Sequence, residues 1–228
     1  MKIALLCPVR CNSAYLAHFL ADVITKTKSD PIVDLYLLIH PGDTWNSSII
    51  AQAIAFAPER IHFVQQNDLL GRRGLNVYYQ QLISESAKDK PDWFGLMCED
   101  FTILKYGWNT LVESDLAGRH PAVPFVYLPR MKSTGSVCHF LSRGYVDAVD
   151  GVIAGHWSVD SWINEVIEPL HCYRGSSEIL FDDFTAQKAG CLMGEAPKVP
   201  EVGCTYRDHP NLNAIQTAER ERIARKIG

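Results

Sequence analysis

The sequence predicts an α/β domain with a doubly wound, mostly parallel central sheet and flanking helices, and three observations predict it. Short continuous apolar runs, such as Lys2 to Cys7 (KIALLC) and Ile32 to Ile39 (IVDLYLLI), have the pattern of strands buried on both faces. Segments with apolar residues at three- and four-residue steps alternate with such runs over the first hundred residues. No internal repeat or low-complexity linker interrupts the 228 residues, so one continuous domain is expected.

The first strand, Lys2 to Cys7, runs into a loop holding Pro8, Arg10 and Asn12. From Ser13, the residues Tyr15, Leu16, Phe19, Leu20, Val23 and Ile24 make a helical face, which Asn12 or Ser13 would cap. The strand Ile32 to Ile39 is closed by the turn His40-Pro41-Gly42-Asp43. Asn46 to Ala57 then reads as a short helix, capped by Asn46 or Ser47 and stopped by Pro58. Arg60 to Val64 is the third strand, and the polar loop Gln65 to Gly74 opens the helix Leu75 to Ser86. Trp93 to Cys98 is the fourth strand. Ligands of such sheets sit beyond the carboxyl ends of the strands, so the informative loops follow Cys7, Ile39, Val64 and Cys98.

After residue 100 the alternation loosens. Helix Trp108 to Leu116 leads to strand Val123 to Leu128, strand Ser136 to Leu141 and helix Arg143 to Val149. Helix Val159 to Ile167 ends before Pro169, and Ile179 to Ala189 reads as another helix. Gly190 to Arg207, rich in Gly and Pro, reads as an extended or mobile segment. Asn213 to Ile227 is a polar helix with Ile215, Ile223 and Ile227 on one side.

A chain that is 47% hydrophobic and 21% charged is not disordered, collagen-like or a coiled coil. Its 22 basic and 26 acidic residues give a charge of -4, so the overall field repels a polyanion and a nucleic-acid partner would need a local basic patch. Arg220, Arg222, Arg225 and Lys226 either favour the end of their helix electrostatically or meet an anionic acceptor. The seven cysteines contain no CxxC pair and read as reduced, mostly buried thiols of a cytoplasmic protein. The apolar run of the first strand is broken by Pro8 and Arg10, too short for a signal-peptide core, and no run reaches the length of a membrane span.

Nucleotide motifs that cradle phosphate in glycines are missing: the first loop, CPVRCN, has none, and there is no GxxxxGK[ST], GxSxG or HExxH. The first loop offers Pro8-x-Arg10-x-Asn12, which is either a proline turn with a cap residue or a ligand contact. Gly71-Arg72-Arg73-Gly74-Leu75-Asn76 opens a helix. There glycines permit close approach and two guanidiniums can clamp phosphate oxygens, the alternative being a solvated basic turn. Glu99 and Asp100 follow the fourth strand and offer the oxygen ligands that a hard divalent cation needs. Asp182-Asp183 is a second acidic pair, explained as the cap of the helix FTAQKAG without any metal.

In this order, these loops resemble the GT-A nucleotide-sugar glycosyltransferases, inverting and family-two-like, including bacterial and bacteriophage members. Pro8, Arg10 and Asn12 echo a P-x-R-N-like loop; Gly71 to Asn76 looks like the family's G-x-x-x-A-x-N-like helix opening. Glu99 and Asp100 stand at the D-x-D-type motif, with Cys98 at its first position, and Tyr106-Gly107-Trp108 resembles the x-G-W segment after it. Ser142-Arg143 after Cys138 to Leu141 is similar to the S-R turn of the acceptor half, and Val159-Asp160-Ser161-Trp162 to the acidic helix start that supplies the base. Over roughly the first 165 residues, the resemblance thus implies a nucleotide-sugar-binding half, 1–100, and an acceptor half, 101–190, followed by the mobile segment and helix of 191–228.

The activity implied is transfer of sugar from a nucleoside-diphosphate sugar, a UDP-sugar foremost, to an acceptor hydroxyl with Mn²⁺ or Mg²⁺. Glu99, Asp100 and a late histidine, His209, would hold the metal. Arg10, Arg72 and Arg73 would contact nucleotide or phosphate, with Pro8, Asn12, Asn76 and Asp43 of the IHPGD turn in the same substrate site. Asp160 would be the general base, and Trp157 and Trp162 would either stack on a sugar face or pack in the core. A phage-type enzyme glycosylating a hydroxylated DNA base is a variant of this reading. A nucleotidyltransferase, which would need a glycine-rich first loop, and a non-catalytic nucleotide- or carbohydrate-binding module are the alternatives.

Overall fold

In the strand Lys2–Pro8 (β1), Ile3, Leu5 and Cys7 enter one apolar cluster and Ala4 and Leu6 another, and all five are buried. A strand with both faces buried has to lie inside a sheet covered by helices on each side. The computed structural model describes residues 1–9, 13–39, 59–66, 74–132, 138–151, 159–183 and 211–227, together with 51, 55 and 57. The other strands are β2 (Ile32–Ile39), β3 (Ile61–Gln65), β4 (Trp93–Leu96), β5 (Phe101–Ile103), β6 (Val126–Met131), β7 (His139–Ser142) and β8 (Tyr173–Asp183). Helices α1 (Ser13–Lys26), α2 (Leu75–Ser86), α3 (Trp108–Asp115), α4 (Arg143–Ala148), α5 (Val159–Ile167) and α6 (Leu212–Ile227) surround them.

The described strands form one sheet in the order β3-β2-β1-β4-β7-β6-β8-β5. The run β3-β2-β1-β4 is parallel throughout, as the alternation in the first hundred residues requires. Beyond it the sheet is mixed: β7 lies antiparallel to β4 and β6, β8 parallel to β6, and β5 antiparallel to β8. Leu16, Phe19, Leu20 and Val23 of α1 cover one face with Trp108 and Val112 of α3. Tyr79, Leu82 and Ile83 of α2, Tyr145 of α4, Trp162, Ile163 and Val166 of α5 and Ile223 of α6 cover the other.

Two glycines are fixed by geometry. Gly107 precedes α3 with φ +69°, in the left-handed region, and donates its N–H to Lys26 O at 2.7 Å. Trp108 beside it is fully buried and bonds Thr27 Oγ1 at 3.0 Å, so this segment docks α3 against the end of α1. At Gly144 in α4, a Cβ would lie 2.2 Å from Ala122 O. Ser142 caps that helix, accepting from Tyr145 N–H at 3.1 Å and Phe125 N–H at 2.9 Å while donating to Val123 O at 2.8 Å.

One expected element is corrected. Ile179 to Asp183, read as the start of a helix, belongs to the eleven-residue strand β8. Its partners decide this: Ile179 and Phe181 register with Arg130 and Met131 of β6, and Phe181, Asp182 and Asp183 with Ile103, Thr102 and Phe101 of β5. Asp182 is buried in the strand, with Lys132 Nζ 3.9 Å away, and the segment FTAQKAG that the pair was expected to cap lies outside the described residues. The helix Asn46 to Ala57 and the segment Gly190 to Arg207 lie largely or wholly outside the described residues.

Candidate functional site

The carboxyl ends of β1 and β4 are neighbours, and the acidic turn grows out of the second. Met97 continues the β4 ladder by donating to Leu6 O at 2.9 Å, and Val9 after β1 donates to Leu38 O at 3.0 Å. Pro8 thus closes β1 one strand away from Glu99 and Asp100. Their proximity has an electrostatic signature: the Cys7 thiol is pushed well up, by burial first and then by the negative field of Glu99, Cys98 and Asp100. Glu99 is 7% exposed, Cys98 and Asp100 more so, and Phe101 N–H donates to Cys98 O at 3.2 Å to close the turn.

Helix α2 supports this turn from the side. Its buried Tyr79 donates to Met97 O at 2.8 Å and lies 3.7 Å from Cys98 Sγ. Burial, then the neighbouring Cys98, drives the Tyr79 phenol far above its ordinary range, so it stays a hydrogen-bond donor at any physiological pH. Asn76 stands three residues earlier, on the same helix face, in the first turn where N–H groups point outward. Its Oδ1 is buried with no hydrogen-bond partner among the described residues. Tyr79 was not picked out by sequence; a lone tyrosine on an apolar helix face reads only as core.

The structure thus brings together Pro8, Asn76, Glu99 and Asp100 at one end of the sheet. Arg10, Asn12, Asp43, Arg72, Arg73, Trp157 and His209 lie outside the described residues. Asp160 occupies the first turn of α5, and its side chain also lies outside them. Trp162 is a correction. It is 1% exposed and its Nε1 donates to Glu219 Oε2 at 2.6 Å, so neither ring face is open to a sugar and core packing is its role. The pairing of β5 with β8 adds what the sequence order hid: Asp183 sits opposite Phe101, directly after the acidic turn.

Two adjacent carboxylates suit a cation of the magnesium type, which one or two carboxylates hold together with substrate phosphates and water. Among the described residues no group of three or more His, Cys, Asp or Glu side chains forms a complete metal cage. The donor set fits an ion shared with a diphosphate; Cys98 at the first motif position contributes a soft thiol, not a third oxygen.

A doubly wound half with an acidic turn at the carboxyl end of its fourth strand, extended by a mixed half, defines a GT-A-like fold. No protein-family model matches the chain, and no curated protein matches it in sequence. Solved structures do match. S. aureus TarS 1–349 in complex with UDP superposes with a TM-score of 0.62 at 10% identity, over 80% of this chain and 60% of that one. The same fragment with UDP-GlcNAc gives 0.62 at 10% identity, over 100% and 71%. The mannosyltransferase PcManGT from Pyrobaculum calidifontis, in complex with GDP-Man and Mn²⁺, gives 0.57 at 9% identity, over 96% and 69%. The expected fold is therefore the observed one, and the chain spans about 60% of the TarS fragment it matches first. No helix among the described residues is long and apolar enough to cross a membrane.

Proposed function

We propose that the chain transfers a sugar from a nucleoside-diphosphate sugar, a UDP-sugar foremost, to an acceptor hydroxyl. The observation that carries this reading is the acidic turn: Glu99 and Asp100 stand at the carboxyl end of β4, beside the end of β1, in a fold shared with structures holding UDP, UDP-GlcNAc and GDP-Man. A divalent cation, Mn²⁺ or Mg²⁺, would neutralise charge on the departing diphosphate. Glu99 and Asp100 would hold it, with His209 as a third candidate ligand. Tyr79 fixes the backbone just before the turn, and Asn76, at the helix opening, would bind the donor through its amide. Arg10, Arg72 and Arg73 are the proposed phosphate and nucleotide contacts. Asp160, at the opening of α5, would take the acceptor proton.

The test is a panel of nucleotide sugars scored by melting temperature in Mn²⁺ and in EDTA, with release of nucleoside diphosphate followed in parallel. A ligand that binds the folded chain raises its melting point, and the rise should be larger with Mn²⁺. Asp100→Asn should remove the metal-dependent part. A full metal-dependent shift in that variant would sink the metal assignment, and metal-dependent binding without turnover on any acceptor would favour a non-catalytic module.

A further inference from the structure

Ile103 ends β5 on the outer edge of the sheet, where a strand presents backbone groups that no ladder satisfies. One helix takes both of them. Ile103 N–H donates to Asp22 Oδ2 at 2.8 Å, and Lys26 Nζ donates to Ile103 O at 2.5 Å. Asp22 and Lys26, one turn apart on α1, are themselves paired at 2.6 Å, so this ion pair stands where the next strand would be. One turn earlier, His18 Nε2 lies 3.2 Å from Thr102 Oγ1 and 3.6 Å from Asp22 Oδ2. Asp22 is 5% exposed and Ile103 not at all, so these charge-assisted bonds act in a low dielectric, where they are strong and directional.

The acidic turn has an anchor on each side. On entry, Met97 is held by Leu6 O through its N–H and by Tyr79 through its carbonyl. Cys98, Glu99 and Asp100 follow, and then the three residues of β5. So short a strand has little ladder of its own, and Asp22, with Lys26, constrains it from the side away from β8. Helix α1 also begins at Ser13, which directly follows Arg10 to Asn12 in the sequence.

We propose that Asp22 is a positioning residue for the acidic turn: by fixing Ile103 at the sheet edge, its buried carboxylate sets the direction in which Glu99 and Asp100 present their oxygens. This rests on the reading above, that those two carboxylates hold a divalent cation on a nucleoside diphosphate.

The experiment is a titration of the full chain with Mn²⁺ in the presence of UDP, following free Mn²⁺ by its electron paramagnetic resonance signal, with melting in EDTA as the measure of fold. Asp22→Ala should raise the Mn²⁺ concentration for half-saturation by about tenfold, the lower end of what loss of a group that orients metal ligands costs. Asp22→Asn keeps an oxygen to accept from Ile103 N–H and should stay close to the parent protein. Unchanged Mn²⁺ binding in Asp22→Ala, or an Asp22→Asn shift as large as that of Asp22→Ala, overturns the assignment. Should Asp22→Ala not fold, Lys26→Met, which withdraws the donor to Ile103 O, must weaken Mn²⁺ binding in its place; unchanged binding there overturns it equally. A parent protein that binds no Mn²⁺ with UDP refutes the reading of the acidic turn instead.

Discussion

Trp162 donates its indole N–H to the Glu219 carboxylate across 2.6 Å, with both side chains buried. The bond joins α5 to α6, and Gln216 and Arg220 add bonds of 2.6 and 2.8 Å to Glu165 on the same two helices. A carboxylate in apolar surroundings needs its donor. Trp162→Phe leaves Glu219 short of one and should cost about 2 kcal/mol, lowering Tm by about 4–8 °C. A calorimetric shift under about 1 °C would show that water replaces the indole.

Gly144 admits no side chain, because the obstacle to its Cβ is the backbone of Ala122 and Val123. Gly144→Ala should destabilise by about 2–3 kcal/mol through overpacking. Gly118→Ala serves as a contrast, since its Cβ meets nothing within 4 Å and only its positive φ of +80° opposes the change. Equal denaturation midpoints for the two variants would contradict the packing argument.

Alkali should unfold the protein in a defined window. Burial raises Cys172 from 9.0 to about 11, and lifts Cys7, Cys138, Tyr79 and Tyr145 well above their usual values. The folded state holds these protons more tightly than the unfolded chain does. Their stabilisation is complete below the unfolded values and is lost as pH rises through the folded ones. Melting temperature should fall above pH 9.0, and Cys172→Ala should flatten the slope between 9.0 and about 11. An unchanged slope would mean that this thiol is not protected.

If Asp160 is the base, Asp160→Asn should leave the nucleotide-induced rise in Tm intact while lowering transfer by about 10²–10⁴. Unchanged turnover removes Asp160 from the mechanism.

Long periodic elements were legible in the sequence: Leu75–Ser86 and Val159–Ile167 have the bounds that their apolar spacing predicts. The second half was less so, for physical reasons. Phe101–Ile103 is too short to show a period, and YRGSSEILFDD lacks alternation because β8 is held by partners from β5 and β6, not by its own propensity. In the candidate site, the placement of Glu99 and Asp100 just after a buried strand was legible. Trp162 was ambiguous because an indole suits a core and a sugar platform equally well by type; the burial of Glu219 beside it, invisible in sequence, decides. Asp22 carries no signal in the sequence, and only its bond to Ile103 N–H shows which backbone it serves.

The strand order β3-β2-β1-β4-β7-β6-β8-β5 also bears on how the chain is made. Phe101 leaves the ribosome long before its ladder partner Asp183, so the exit of the acidic turn stays without its strand until β8 has been synthesised. Asp22 and Lys26, by contrast, emerge ahead of Ile103 and can receive it at once. The ion pair on α1 thereby gives a nascent β5 a place to wait and covers its outer edge, while the edge that β8 will take is still open.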